Sequence, residues 1–181
     1  MERIPYQATA AGAAYDGLTP LPVAVLLDNV RSMYNVGAFF RTADGAGVER
    51  LLLCGITACP PKRAIEKTAL GAEETVQWEH HRDAAVPLRQ RIAQGWQVAA
   101  IETSVHAVDL FEWRPRFPVC LVFGHETDGI RPEIAALCDA HIRIPMLGRK
   151  HSLNVATAGG IVLYELLRKL KNLRAPGAGG G

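Results

Sequence analysis

The chain has 181 residues, 49% of them hydrophobic and 21% charged, which suits one ordinary globular domain and excludes a disordered chain or a fibrous repeat. A formal charge of +2 does not by itself suggest a polyanion partner, but residues 141–181 carry seven basic groups against one acid, leaving the rest at −4. Such a basic field can attract phosphates even when the whole molecule is nearly neutral, although cations also suit the C-terminus of a helix. The four cysteines form no CxxC pair and the six histidines show no ligand spacing, so no metal site is expected. No stretch approaches the roughly 18 apolar residues of a membrane span, and the first residues lack a signal-peptide core; a cytoplasmic location is expected.

Residues 1–21 mix Ala, Gly, Thr and Pro without periodicity and read as a loose lead-in to one domain over 22–174. The apolar run Val23–Val30 reads as a buried strand. A helix over Val36–Ala46 follows, with Asn35 as its N-cap and the Gly45/Gly47 pair at its end. Arg50–Ile56 is the second strand; after it come a helical stretch near Ala64–Leu70, a strand at Thr75–Trp78 and an amphipathic helix over Asp83–Gln94. Trp96–Glu102, Val119–Gly124 and His141–Met146 are further strands, and Pro132 opens a short helix to Cys138. A long helix from Asn154 to Leu173 precedes a tail over 175–181 that has nothing to bury and is expected to be disordered. Apolar strands alternating with helices predict an α/β fold, a mostly parallel sheet covered by helices on both faces.

Ligands in such sheets bind beyond the carboxyl ends of the strands, and three loops there are unusual. The first, after Asp28, carries Asn35 and Arg41; the guanidinium interrupts a small, apolar stretch and calls for an anionic partner, either a ligand or Asp44 or Asp28. The second, FGHETDGI, brackets Glu126 and Asp128 between Gly124 and Gly129. The third, IPMLGRKHSLNVATAGG, offers Ser152 or Asn154 as the cap of the last helix, whose adjacent Gly159 and Gly160 imply close approach of another backbone from the same chain or a partner. Neither a phosphate-binding GxxxxGK[ST] nor a dinucleotide GxGxxG is present.

In this order the three loops resemble the signature motifs of the SpoU branch of the SPOUT methyltransferases: NVGAFFRTADGAGV the first, LVFGHETDGI the second, IPMLGRKHSLNVATAGGIVLYELLR the third. His125 stands at a variable place of the second, and Ala156-Thr157 replaces a small hydroxyl residue often found in the third. The resemblance implies transfer of a methyl group from S-adenosylmethionine to a ribose 2′-hydroxyl of RNA, with tRNA slightly favoured over rRNA. It also implies a C-terminal trefoil knot, which topology rules alone would argue against, and a homodimer in which Gly159 and Gly160 let two helices cross.

By the same resemblance Thr103, Gly124, Ile144, Met146, Ser152 and Leu153 would bind the cofactor, and Arg41 would be the essential arginine. A guanidinium that stays protonated at neutral pH argues for electrostatic help at a phosphate or ribose in place of a role as base. Asn35 would orient that arginine or the ribose, while Glu126 and Asn154 hold the shape of the site. Lys62, Arg63, Arg149 and Lys150 are the expected RNA contacts. Two rival readings are a non-catalytic RNA-binding or ribosome-assembly protein of the same fold and an unrelated nucleotide-dependent enzyme.

Overall fold

The computed structural model describes residues 20–174. In chain order its elements are β1 (Leu21–Asp28), α1 (Met33–Ala46), β2 (Val48–Cys54), α2 (Arg63–Ala69), α3 (Ala72–Thr75), β3 (Trp78–His81), α4 (Ala85–Ala93), β4 (Gln97–Ile101), β5 (Val108–Asp109), β6 (Val119–Phe123), α5 (Pro132–Ala135), β7 (Ala140–Arg143) and α6 (Val155–Arg174). The seven strands form one sheet in the order β3-β2-β1-β6-β4-β7-β5, and all pairs among them are parallel. The expected α/β architecture is therefore observed.

Strand alternation divides the core. On one face Val23, Val25, Leu27, Leu51, Leu53, Leu121 and Phe123 pack beneath α1, α2 and α6, joined by Phe39, Phe40, Leu163 and Leu166. On the other, Ala24, Leu26, Leu52, Val98, Cys120 and Val122 meet Leu88 of α4 and Ile134 of α5. Phe39 and Phe123 touch edge to face, with centroids 5.1 Å apart, and each buried side chain of this size contributes about 2 kcal/mol.

Several expected boundaries move for physical reasons. Helix α1 starts three residues early because Ser32, not Asn35, is its N-cap: Ser32 Oγ accepts from the Asn35 N–H at 3.3 Å. Its end is as expected, with Gly47 in the left-handed conformation at φ 68°. The strand expected at Thr75–Trp78 begins only at Trp78, since Ala72–Thr75 makes one helical turn. The strand expected to reach Met146 stops at Arg143, and β5, two residues long, was not expected. The first strand begins at Leu21, one residue before the expected domain start, and Leu21 is buried. Residues 1–19 and the expected disordered tail lie outside the described residues.

Gly159 serves packing within the chain: a Cβ there would stand 2.3 Å from the Phe39 ring of α1. Further along α6, Lys169 Nζ donates to the carbonyls of Leu110 at 2.6 Å, Phe111 at 3.4 Å and Trp113. Burial lowers the pKa of Lys169 from the usual lysine range, and nearby Glu165 opposes that pull. This ammonium fastens the last helix to the segment that follows β5.

Candidate active site

The sheet order reverses between β1 and β6, and the loops after these two strands meet there, where a parallel sheet opens a crevice. Asp28, 1% exposed at the end of β1, receives two bonds from the Arg131 guanidinium, Nε at 3.0 Å and Nη2 at 3.2 Å. A buried carboxylate requires such a partner. Asn29 follows at φ 60°; its side chain donates to Asp28 at 3.0 Å and accepts from the Ile56 N–H at 3.1 Å. The Val30 N–H donates to Thr57 Oγ1, which itself donates to the Leu27 carbonyl, both at 3.0 Å.

Glu126, in the loop after β6, joins the two segments. Its carboxylate accepts from the N–H groups of Arg31 and Ser32 and from Asn35 Nδ2, each at 3.0 Å. Partial burial pushes this carboxyl up, but the N–H groups of Arg31, Ser32 and its own residue, with the Asn35 amide, outweigh that and hold it below the usual carboxylate range. Asn35 Oδ1 accepts from Asn154 Nδ2 at 3.1 Å. Asn154 Oδ1 in turn accepts from the N–H groups of Ala156 and Thr157 at 3.0 and 3.2 Å, so Asn154 caps α6. All three loops thus converge through Glu126, Asn35 and Asn154.

Beside this network lies a cleft of about 350 Å³ between the loops after β4, β6 and β7. All six residues expected to bind a cofactor line it: Thr103, Gly124, Ile144, Met146, Ser152 and Leu153. Ile101, Ile142, Ile144, Met146, Leu153 and Ala158 offer an apolar lining, and loop backbone groups offer polar edges, a division suited to a flat heterocycle with polar substituents. Gly124 is required because a Cβ there would lie 2.3 Å from the Gly129 backbone. Thr103 Oγ1 donates to the His151 carbonyl at 3.2 Å, linking the β4 loop to the β7 loop. A second cleft of about 390 Å³ adjoins the first and is lined by Arg31, Ser32, Asn35, His125, Glu126 and Thr127.

Arg41 is not brought into this assembly. It is exposed on α1 and lines neither cleft. The two partners considered for it are engaged elsewhere: Asp28 binds Arg131, and Asp44 accepts from Thr75 Oγ1 at 2.8 Å. Lys62, Arg63, Arg149 and Lys150 are all exposed and likewise line neither cleft. Sequence reasoning missed Asp28 as Arg131's partner, and missed Arg31 and Thr127 as lining residues; the bracket of Gly124 and Gly129 around residues 125–128 was the available signal for Thr127. The described residues hold no cluster of three or more His, Cys, Asp or Glu placed to bind a metal ion, and no helix among them is long and apolar enough to cross a membrane.

Residues 22–164 match the family described as SpoU rRNA Methylase. The chain is 35% identical over 150 residues to a protein of Escherichia coli (strain K12) named tRNA (guanosine(18)-2′-O)-methyltransferase, covering 83% of this chain and 65% of that one. It is also 35% identical over 149 residues to a 23S rRNA (guanosine-2′-O-)-methyltransferase RlmB of Vibrio parahaemolyticus, covering 82% of this chain and 60% of that protein. Its fold is similar to that of an AdoMet-bound rRNA methyltransferase from Sinorhizobium meliloti, with a TM-score of 0.77, 33% identity, and coverage of 84% and 61% of the two chains. A TrmH/SpoU tRNA modifying enzyme of A. aeolicus is as similar, with a TM-score of 0.77, 32% identity, and coverage of 84% and 77%. The chain spans 60% and 65% of the length of the two curated relatives named here. With its three motifs joined through Glu126, Asn35 and Asn154 and a family match over residues 22–164, the chain belongs to the SpoU rRNA methylase family.

Proposed function

We propose that this protein methylates a ribose 2′-hydroxyl of RNA with S-adenosylmethionine as methyl donor. The observation that carries the reading is the Glu126–Asn35–Asn154 network standing against a cleft lined by all six expected cofactor residues. When bound, S-adenosylmethionine supplies an electrophilic methyl on a sulfonium; the protein's task is to align an acceptor oxygen with it. Ile144, Met146 and Leu153 would flank the adenine, and Thr103, Gly124 and Ser152 would border its polar edges. Asn35 and Asn154, fixed to each other and to Glu126, would hold the ribose.

Arg41 lowers the cost of charge on the 2′-oxygen or its neighbouring phosphate in this reading. Because Arg41 lines neither cleft of its own chain, a homodimer gives it a site to serve. Exposed apolar side chains on α1 and α6, Met33, Tyr34, Ile161 and Tyr164, support such an interface. Residues 22–174 are proposed to form a single domain whose C-terminal part is threaded into the family's knot, a reading supported by Lys169 reaching the segment after β5. The exposed Lys62, Arg63, Arg149 and Lys150 are suited to RNA phosphates. Both tRNA and rRNA fit the names of the relatives, and tRNA is the first to test.

Incubation with tritiated S-adenosylmethionine and RNA from cells lacking this gene tests the activity, and mapping of 2′-O-methyl sites identifies the nucleotide. Arg41→Ala should retain cofactor binding while losing methyl transfer. Loss of both together would make Arg41 structural, and binding of RNA without transfer by the unaltered protein would favour the non-catalytic reading.

A further inference from the structure

The second cleft has a polarity that the methyl-transfer reading does not use. His125 Nδ1 lies 3.3 Å from both the Thr127 N–H and the Asp128 N–H, and 3.1 Å from Thr127 Oγ1. Two backbone N–H groups can only donate, so Nδ1 is an acceptor and the neutral ring carries its proton on Nε2. Asp128 Oδ2, 3.3 Å from the same Nδ1, therefore pairs with the ring only when it is doubly protonated. Nε2 has no hydrogen-bond partner among the described residues, and His125 lines both clefts.

Arg31 stands in the same cleft. Its backbone N–H is taken by Glu126, but its exposed guanidinium has no hydrogen bond or ion pair among the described residues. The acceptors nearby are largely engaged: Glu126 receives three N–H donors, and Ser32 Oγ receives the Asn35 N–H. Asp128 does not line this cleft. Its unsatisfied capacity is thus one cation and one neutral donor, and the complementary ligand is an anion with several acceptor oxygens.

We infer that Arg31 and His125 form a phosphodiester subsite, holding a backbone phosphate of the RNA at the mouth of the cofactor cleft. The inference rests on the methyltransferase reading for the identity of the polymer. The methionyl carboxylate of the cofactor has similar chemistry, but Arg31 borders only the second cleft, whereas the expected cofactor residues line the first.

The test uses the full chain and RNA from cells lacking the gene, with RNA affinity from filter binding, RNA KM from methyl transfer and cofactor affinity from calorimetry. Arg31→Ala should weaken RNA binding about tenfold at low salt and reduce the slope of log affinity against log salt by about 1. Its cofactor affinity and melting temperature should be unchanged. His125→Phe should raise the RNA KM, His125→Gln, which keeps an N–H donor, should recover most of it, and the double variant with Arg31→Ala should lose less than the product of the single losses.

An unchanged RNA affinity and salt slope in Arg31→Ala overturns the inference. So does lost cofactor affinity with RNA binding intact, which would assign the cleft to the methionyl carboxylate. If the unaltered protein binds RNA but transfers no methyl group, the catalytic reading fails alone, and the binding arm still decides the phosphate subsite. If it binds no RNA, both fall.

Discussion

The loop from β1 to α1 and the loop from β7 to α6 meet at the Asn35–Asn154 hydrogen bond, yet they are held very differently. In the first, Asp28, Asn29, Val30, Arg31 and Ser32 each have a partner outside the loop. In the second, among the described residues, a single hydrogen bond from Thr103 holds residues 145–153, and Leu147 is fully exposed. A preorganised wall suits groups that must align a reaction, where a misplacement of about 1 Å can cost about 10²-fold in rate. A lightly held wall belongs to the least stable part of a fold and can yield to a ligand.

Glu126→Ala should have the largest effect, because it removes the acceptor shared by Arg31, Ser32 and Asn35. The expected loss is about 10²-fold in kcat/KM with the fold retained by circular dichroism; a loss below about threefold would break the contrast between the walls. The same carboxylate makes the wall sensitive to acid. Its folded pKa lies below the ordinary glutamate value of 4.5, so its stabilising contribution is fully present above 4.5 and is lost as pH falls through the lower folded value. Glu126→Gln should flatten that part of the stability profile in acid titrations.

Arg131→Met comes next. It leaves the Asp28 carboxylate buried without its cation, which should lower the unfolding free energy in urea by about 3 kcal/mol. Unchanged stability would mean that the brace contributes nothing to the first wall. Leu147→Ser should have the smallest effect, within about 0.5 kcal/mol by the same measurement; a larger loss would show that the second wall is packed more firmly than its exposure indicates.

Legibility in the sequence followed distance along the chain. The apolar runs at Val23, Val119 and Gln97 read as strands because burial on both faces leaves little room for polar residues. Of the six residues expected on the cofactor side, all of which line the first cleft, Gly124, Ile144, Met146, Ser152 and Leu153 were legible because they sit in two contiguous motifs, while Thr103 lies outside them. The Asp28–Arg131 pair joins residues 103 apart, and nothing local marks either as the other's partner. Asn35 was misread as a cap because asparagine suits that role and Ser32 was not weighed; the structure spends its amide on Glu126 and Asn154 instead. Of the two glycines of α6 that signalled close approach, Gly159 meets Phe39 of α1, while a Cβ at Gly160 would find only ordinary contact with Thr42. A two-residue strand such as β5 has no periodicity to detect.

The strand order also constrains how the molecule comes into being during synthesis. β1, made first, takes β6 as a neighbour through Val23↔Val119, and the network around Asn35 closes only when Asn154 arrives. A nascent chain that has emerged through β6 therefore holds Glu126's donors but neither Glu126 nor Arg131, and no site. Lys169 then secures the segment at 110–113 from beyond Asn154. Long-range pairings of this kind form slowly, so competence is a late event in the life of each chain, reached only once its last helix has docked.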